Sequence, residues 1–128
     1  MVGVVIVSHS QKIAEGVVEI AEVMAENAPV VAAGGLEDGT LGTSYDRIHD
    51  AIESVYSDEG VVVIADMGGS IMTVEIVLED MERENIIMLD CPLVEGAILA
   101  AVESKNGRNL EEVKLYVERA RATKKLSD

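Results

Sequence analysis

The run Val2-Gly-Val-Val-Ile-Val7 restricts what this chain can fold into more than any other feature. A strand with one face in water alternates apolar and polar residues, whereas this run is apolar throughout and rich in β-branched side chains. Unbroken runs of that kind belong to strands covered on both faces, which occur almost only in parallel sheets flanked by helices. Gly60-Val-Val-Val-Ile-Ala65 repeats the signature.

Between and after these runs the pattern alternates strand and helix. A helix is expected from about Ser10 to Asn27, with Ile13, Val17, Ile20 and Met24 at helical spacing. Pro29 to Ala33 reads as a second strand, and the glycine-rich Gly34 to Ser44 as a loop. Tyr45 to Tyr56 follows as a helix presenting Tyr45, Ile48, Ile52 and Val55 on one face. After the strand ending at Ala65, residues 66–70 form a turn and Ile71 to Glu84 a helix, through Ile71, Val74, Leu78 and Met81. Ile86 to Leu89 is the fourth strand. Val94 to Ser104 and Leu110 to Lys124 complete the chain as helices, the last opened by a capping box of Asn109 and Glu112. The expected fold is α/β: a predominantly parallel four-stranded sheet with helices on both faces, joined by right-handed crossovers. Its 128 residues suffice for one domain, 1–128.

Composition narrows the classes of function. Neither apolar run reaches the length of a membrane span, and no basic stretch precedes the first, so no signal peptide is expected. A single cysteine, Cys91, builds no internal disulfide and fits a reducing, cytoplasmic setting. Asp and Glu number 24 against 10 Lys and Arg, a net charge of −14 that repels a nucleic-acid backbone. Steering toward a basic partner, life at high salt and simple solubility all account for such a charge.

In open parallel sheets ligands sit beyond the carboxyl ends of the strands. Four segments meet that edge here: Ser8-His9-Ser10, the loop 34–44, Asp66-Met67-Gly68-Gly69-Ser70 and Asp90-Cys91-Pro92. They supply one histidine, carboxylates, hydroxyls, and glycine turns feeding helix N-termini, whose free N–H groups attract anions, phosphate above all. A histidine whose Nδ1–H meets a carboxylate keeps a lone pair on Nε2 as nucleophile, base or metal ligand. Strands one and three commonly lie side by side, which makes Asp66 the candidate to orient His9; the bland alternative has both residues capping helices. Small Ser8 and Ser10 leave room for a docking protein. His49 falls within a helix and reads as solvent-facing. Asp90 lines the edge or merely ends its strand, and Cys91 reads as an ordinary buried thiol, because Ala97 stands where a phosphate-cradling Cys-x5-Arg loop needs arginine. No closed zinc site and no P-loop motif is present in the sequence.

The segments VIVSHS (5–10), Ala14-Glu15-Gly16, GTS (42–44), DMG (66–68) and PLVEGAILAAV (92–102) occur in an order and spacing that resembles the DhaM family. These are the phosphotransferase subunits of the dihydroxyacetone kinase driven by the phosphoenolpyruvate:sugar phosphotransferase system, related in fold to its mannose-type IIA domains. PLVEG discriminates most against other IIA domains. The resemblance implies a mannose-type IIA-like three-layer sandwich, with His9 carrying a phosphoryl group on Nε2 and Asp66 holding Nδ1. It implies that Gly42, Thr43, Gly68, Gly69 and Ser70 bind the phosphoryl group. The phosphoryl group would come from the phosphocarrier HPr, a separate protein, and leave to ADP on the nucleotide-binding kinase subunit. It further implies a homodimer, with no metal and no cofactor. One departure is visible: the family often places serine directly after Asp-Met/Leu-Gly, where this chain has Gly69, its hydroxyl following at Ser70.

Rival readings make different demands. A mannose-type sugar IIA component would share the site and differ in its acceptor. A small chelatase would want a second histidine or a carboxylate cluster beside His9. A receiver domain would want an acidic pair after strand one, where Ser8-His9 stands. A plain binding module leaves the gathering of groups at one edge unexplained.

Overall fold

A computed structural model describes residues 1–127. Its elements are β1 (Gly3–Ser8), α1 (Gln11–Met24), β2 (Val30–Gly34), α2 (Tyr45–Val55), β3 (Val61–Ala65), α3 (Gly68–Met81), β4 (Ile86–Met88), α4 (Leu93–Lys105) and α5 (Leu110–Glu118), followed by a 3-10 turn over Arg119–Arg121. The four strands pair in the order β2-β1-β3-β4, every pairing parallel.

The apolar runs divide by alternation. Val4 and Ile6 of β1 and Val62 and Ile64 of β3 enter a core shared with Ala14, Val17 and Ala21 of α1, with α4 and with α5. Val5 and Val7, with Val61 and Val63, enter a second core under Ile48 and Ile52 of α2 and Val74 and Val77 of α3. All eight strand residues are fully buried, so the sheet is the middle of three layers. Burying each such side chain stabilises the fold by roughly 1.5–3 kcal/mol.

The chain leaves β1 toward β2 through α1 on one face, then crosses to β3 through α2 on the other. Right-handed crossovers in opposite directions put their helices on opposite faces. Between β1 and β3 the strand order therefore reverses, and a crevice opens there at the carboxyl ends.

The stripe Ile13, Ile20, Met24 is not the buried face of α1: these side chains are 53%, 45% and 60% exposed. Ala14, Val17 and Ala21 face inward, opposite Ala97, Ala100 and Ala101 of α4. Small residues let helix backbones approach closely, and counting bulky apolar residues points to the wrong side of such a helix. The helix also stops at Met24, before Asn27, whose φ of 71° is left-handed. Helix α3 starts three residues earlier than its apolar pattern, at Gly68, and Ile71 is exposed. Helix α5 ends at Glu118 instead of Lys124, and its capping box is present: Asn109 Oδ1 accepts from Glu112 N at 2.9 Å and Asn109 N donates to Glu112 Oε1 at 3.0 Å. Among the described residues no helix is long and apolar enough to cross a membrane.

Candidate functional site

Strand β1 ends at Ser8, and His9 stands where the chain turns into α1, in the crevice between β1 and β3. Ser10 closes the turn as N-cap of α1, its hydroxyl accepting from Ile13 N at 3.2 Å. The turn packs against the end of β2, where a Cβ on Gly34 would fall 2.6 Å from the Ser10 carbonyl oxygen. The loop 34–44 is tied to the histidine's backbone: Gly42 N donates to the His9 carbonyl at 2.9 Å.

Strand β3 ends beside His9 and delivers Asp66. Its carboxylate lies 3.2 Å (Oδ1) and 3.3 Å (Oδ2) from His9 Nδ1. It also receives His9 N at 3.1 Å, Met67 N at 2.8 Å and the Ser8 hydroxyl at 2.9 Å. The Asp66 side chain is 14% exposed and that of His9 33%. Burial by itself would raise the Asp66 pKa. The amide of His9, the hydroxyls of Ser8 and Ser70 and the amide of Met67 outweigh burial and hold the carboxyl below its ordinary range. Asp66 is thus ionised near neutral pH, and a proton on the Nδ1 that faces it would leave the Nε2 lone pair free.

Nε2 faces the start of α3. A Cβ built on Gly69 would lie 3.0 Å from it, so glycine leaves the space next to this nitrogen open. No side chain caps this helix: Met67 holds the N-cap position with extended backbone. Gly68 and Gly69 occupy the first turn, where amides have no acceptor within the helix and carry the positive end of its dipole.

Ser70 and Thr43 lie to the Nδ1 side. Ser70 is fully buried, its hydroxyl 3.1 Å from His9 Nδ1 and 3.1 Å from Thr43 Oγ1. The structure therefore unites His9, Asp66, Thr43, Gly69 and Ser70. It gives the Gly42 amide to the His9 carbonyl, and puts the Ser70 hydroxyl against the ring nitrogen opposite the open space. Two expectations shift. Ser8, expected to leave room for a docking protein, is 0% exposed and supports Asp66 from beneath. Cys91 is half-buried, and its thiol is pushed up to about 12 by burial first and then by Glu118 and Asp90.

The remaining candidates stay outside this set. His49 pairs with Asp50 at 3.3 Å and stacks on Tyr45 with ring centroids 6.4 Å apart. Asp90 is exposed and pairs with Arg121 at 3.2 Å. Among the described residues no group of three or more His, Cys, Asp or Glu side chains is placed to hold a metal ion. The buried role of Ser8 was missed; its signal was the coverage of both faces of β1, which extends to the strand's last residue.

The chain is an all-parallel three-layer α/β sandwich with His9 beside the Asp66 carboxylate at the point where strand order reverses. A family model described as PTS system fructose IIA component matches residues 3–114, and the chain belongs to this mannose-type IIA family, on its DhaM branch. It is 43% identical over 101 residues to the "PEP-dependent dihydroxyacetone kinase 1, phosphoryl donor subunit DhaM" of Listeria innocua, covering 79% of this chain and 80% of the relative. It is 37% identical over 117 residues to the "PTS-dependent dihydroxyacetone kinase, phosphotransferase subunit DhaM" of Lactococcus lactis, covering 91% and 94%. Among solved structures, that of the protein EF1359, of unknown function, superposes with a TM-score of 0.82 at 28% identity, covering 99% of this chain and all of the other.

Proposed function

We propose that this chain is the phosphoryl donor subunit of a phosphotransferase-system-dependent dihydroxyacetone kinase, carrying the phosphoryl group on Nε2 of His9. One observation carries the reading: an ionised Asp66 holds Nδ1 while Nε2 opens onto the glycine start of an uncapped helix. The names of the DhaM relatives supply the class of acceptor.

In the first step the Nε2 lone pair attacks the phosphorus of phospho-HPr. The N–P bond to the donor histidine breaks and its electron pair returns to the donor ring. The Nδ1 proton of His9 stays in its bond with Asp66, whose negative charge offsets the cationic, doubly substituted ring. In the second step a terminal phosphate oxygen of ADP, held by the nucleotide-binding kinase subunit, attacks the same phosphorus. The Nε2–P bond breaks, its electron pair returns to Nε2, and ATP leaves. Neither step moves a proton, so a rigid brace suffices and no separate general base is required.

The amides of Gly68 and Gly69 and the dipole of α3 stabilise charge on the transferring oxygens, while Thr43 backs Ser70 on the Nδ1 side, 3.1 Å from its hydroxyl. Ser70 orients the ring, and Gly42 fixes the backbone of His9. Imidazole suits a relay because its N–P bond is labile, unlike a serine ester. A homodimer belongs to the same proposal, supported by the exposed apolar stripe of Ile13, Ile20, Val23 and Met24 along α1.

Incubation with enzyme I, phosphoenolpyruvate and HPr tests the reading. Intact-mass measurement should find one phosphoryl group on the wild type and none on folded His9→Ala. The group should then pass to ADP only when the nucleotide-binding subunit is present. Full labelling of His9→Ala would overturn the assignment, and transfer to a sugar-specific component instead of ADP would move the chain to sugar uptake.

A further inference from the structure

Beneath the histidine lies a group that never reaches the reacting atoms. Ser8 is the last residue of β1 and has no exposed surface. Its oxygen accepts from Ser10 N at 3.0 Å and lies 2.9 Å from Asp66 Oδ2. An amide only donates and an ionised carboxylate only accepts, so the hydroxyl proton has one direction available, toward Asp66.

Asp66 Oδ1 accepts from its backbone neighbour Met67 N at 2.8 Å. Oδ2 takes His9 N and the Ser8 hydroxyl, donors from the opposite strand. The carboxylate is thus anchored across the gap between β1 and β3, and with it the plane in which it meets Nδ1. Charge drawn into the Ser8 hydrogen bond is also charge not presented to the imidazole. The ring is therefore oriented without the carboxylate becoming a strong competitor for a second proton.

From this arrangement we infer that Ser8 is a positioning residue for phosphoryl transfer: its buried hydroxyl locks Asp66 so that His9 is held as the Nδ1–H tautomer with Nε2 free. The inference rests on the reading that His9 Nε2 is the nucleophile, yet the tautomer is observable without any transfer. Loss of the Ser8 hydroxyl leaves Oδ2 one donor short in a buried place, loosens the carboxylate held otherwise by the amides of His9 and Met67, and lets the ring populate the Nε2–H form. That form has no lone pair on the attacking nitrogen.

The test is ¹⁵N NMR of the imidazole in a His49→Gln background, where His9 is the single histidine, together with the rate of phosphoryl uptake from phospho-HPr. Wild-type Ser8 should give widely separated nitrogen shifts, with the proton on Nδ1. Ser8→Ala should move the two shifts toward each other and slow uptake about ten- to a hundredfold, the scale of a lost hydrogen bond to a charged group. Ser8→Thr, which keeps the hydroxyl, should restore both readouts. Ser8→Cys fills the space with a weaker donor, should fall between, and serves as the comparison should Ser8→Ala fail to fold. Unchanged shifts in Ser8→Ala or Ser8→Cys overturn the inference, whether or not the rate falls, because a slow variant with an intact tautomer acts by another route. If the shifts respond to Ser8 while the wild type takes no phosphoryl group, the positioning role stands and the proposed function fails.

Discussion

At the residue scale, the ring of His9 is handled on two sides by different means: donors and acceptors crowd Nδ1, and the absence of a side chain at Gly69 clears Nε2. Replacing Gly69 by alanine tests the second side. A methyl group 3.0 Å from Nε2 forces the ring to give way, whereas alanine is favoured over glycine in helices by about 0.5–1 kcal/mol. Uptake from phospho-HPr should fall at least about tenfold, a loss of roughly 1.4 kcal/mol in the transition state, with no fall in the unfolding midpoint. An active Gly69→Ala would remove the argument that this position must be empty. Asp66→Asn tests the first side. An amide in place of the carboxylate can favour the wrong tautomer, as in serine-protease triads, so transfer should slow by orders of magnitude in a folded protein. His49→Gln, remote from the set, should transfer at the wild-type rate. Asp66 also links stability to pH. Its folded pKa lies below its unfolded one, so its contribution is fully present above the ordinary aspartate value of about 4 and is lost as pH falls through the lower, folded value. Urea titrations should accordingly find wild type and Asp66→Asn separated by a constant amount at neutral pH, the gap closing only below about pH 4. A gap that closes between neutrality and mildly acidic pH would contradict the depressed carboxyl.

At the scale of elements, the strands were legible because two covered faces demand an uninterrupted apolar run, and the carboxyl edge followed from their parallel order. His9 and Asp66 came with it, as the residues that directly follow neighbouring strands. The helices were less legible in one respect: α1 and α4 meet through alanines, so the residues that look most like core, Ile13, Ile20 and Met24, point outward. Hydrophobic spacing reports bulk, and close helix packing selects against bulk. The start of α3 was hidden for a related reason, since Gly68 and Gly69 lack apolar side chains to extend the periodicity. Ser8 escaped because a small polar residue beside a histidine suggests exposure, whereas the cover on both faces of β1 extends to its last residue. A substitution checks the packing claim. Ala21→Leu adds volume at a fully buried alanine and should destabilise the fold by about 1–3 kcal/mol in thermal or urea unfolding. A neutral or stabilising Ala21→Leu would mean that α1 has room to accommodate it and that close approach does not dictate its inner face.

At the scale of the whole molecule, the net charge of −14 sets a self-repulsion that the compact state must bear. Screening relieves it, so raising monovalent salt from low to about molar concentration should lift the unfolding midpoint, with KCl and NaCl equally effective. A flat midpoint would leave the acidic surface to partner steering or solubility. On the proposed function the same field surrounds the phosphoryl group on Nε2 of His9, and repulsion of that kind favours donation over storage. All of this depends on which atom bears the phosphoryl group. Proton and ³¹P NMR of the ¹⁵N-labelled protein after phosphorylation by phospho-HPr reads that atom directly through its one-bond ³¹P–¹⁵N coupling. The account predicts coupling to Nε2 of His9, with Nδ1 still protonated against Asp66. Coupling to Nδ1, or phosphorus on any other side chain, would contradict it.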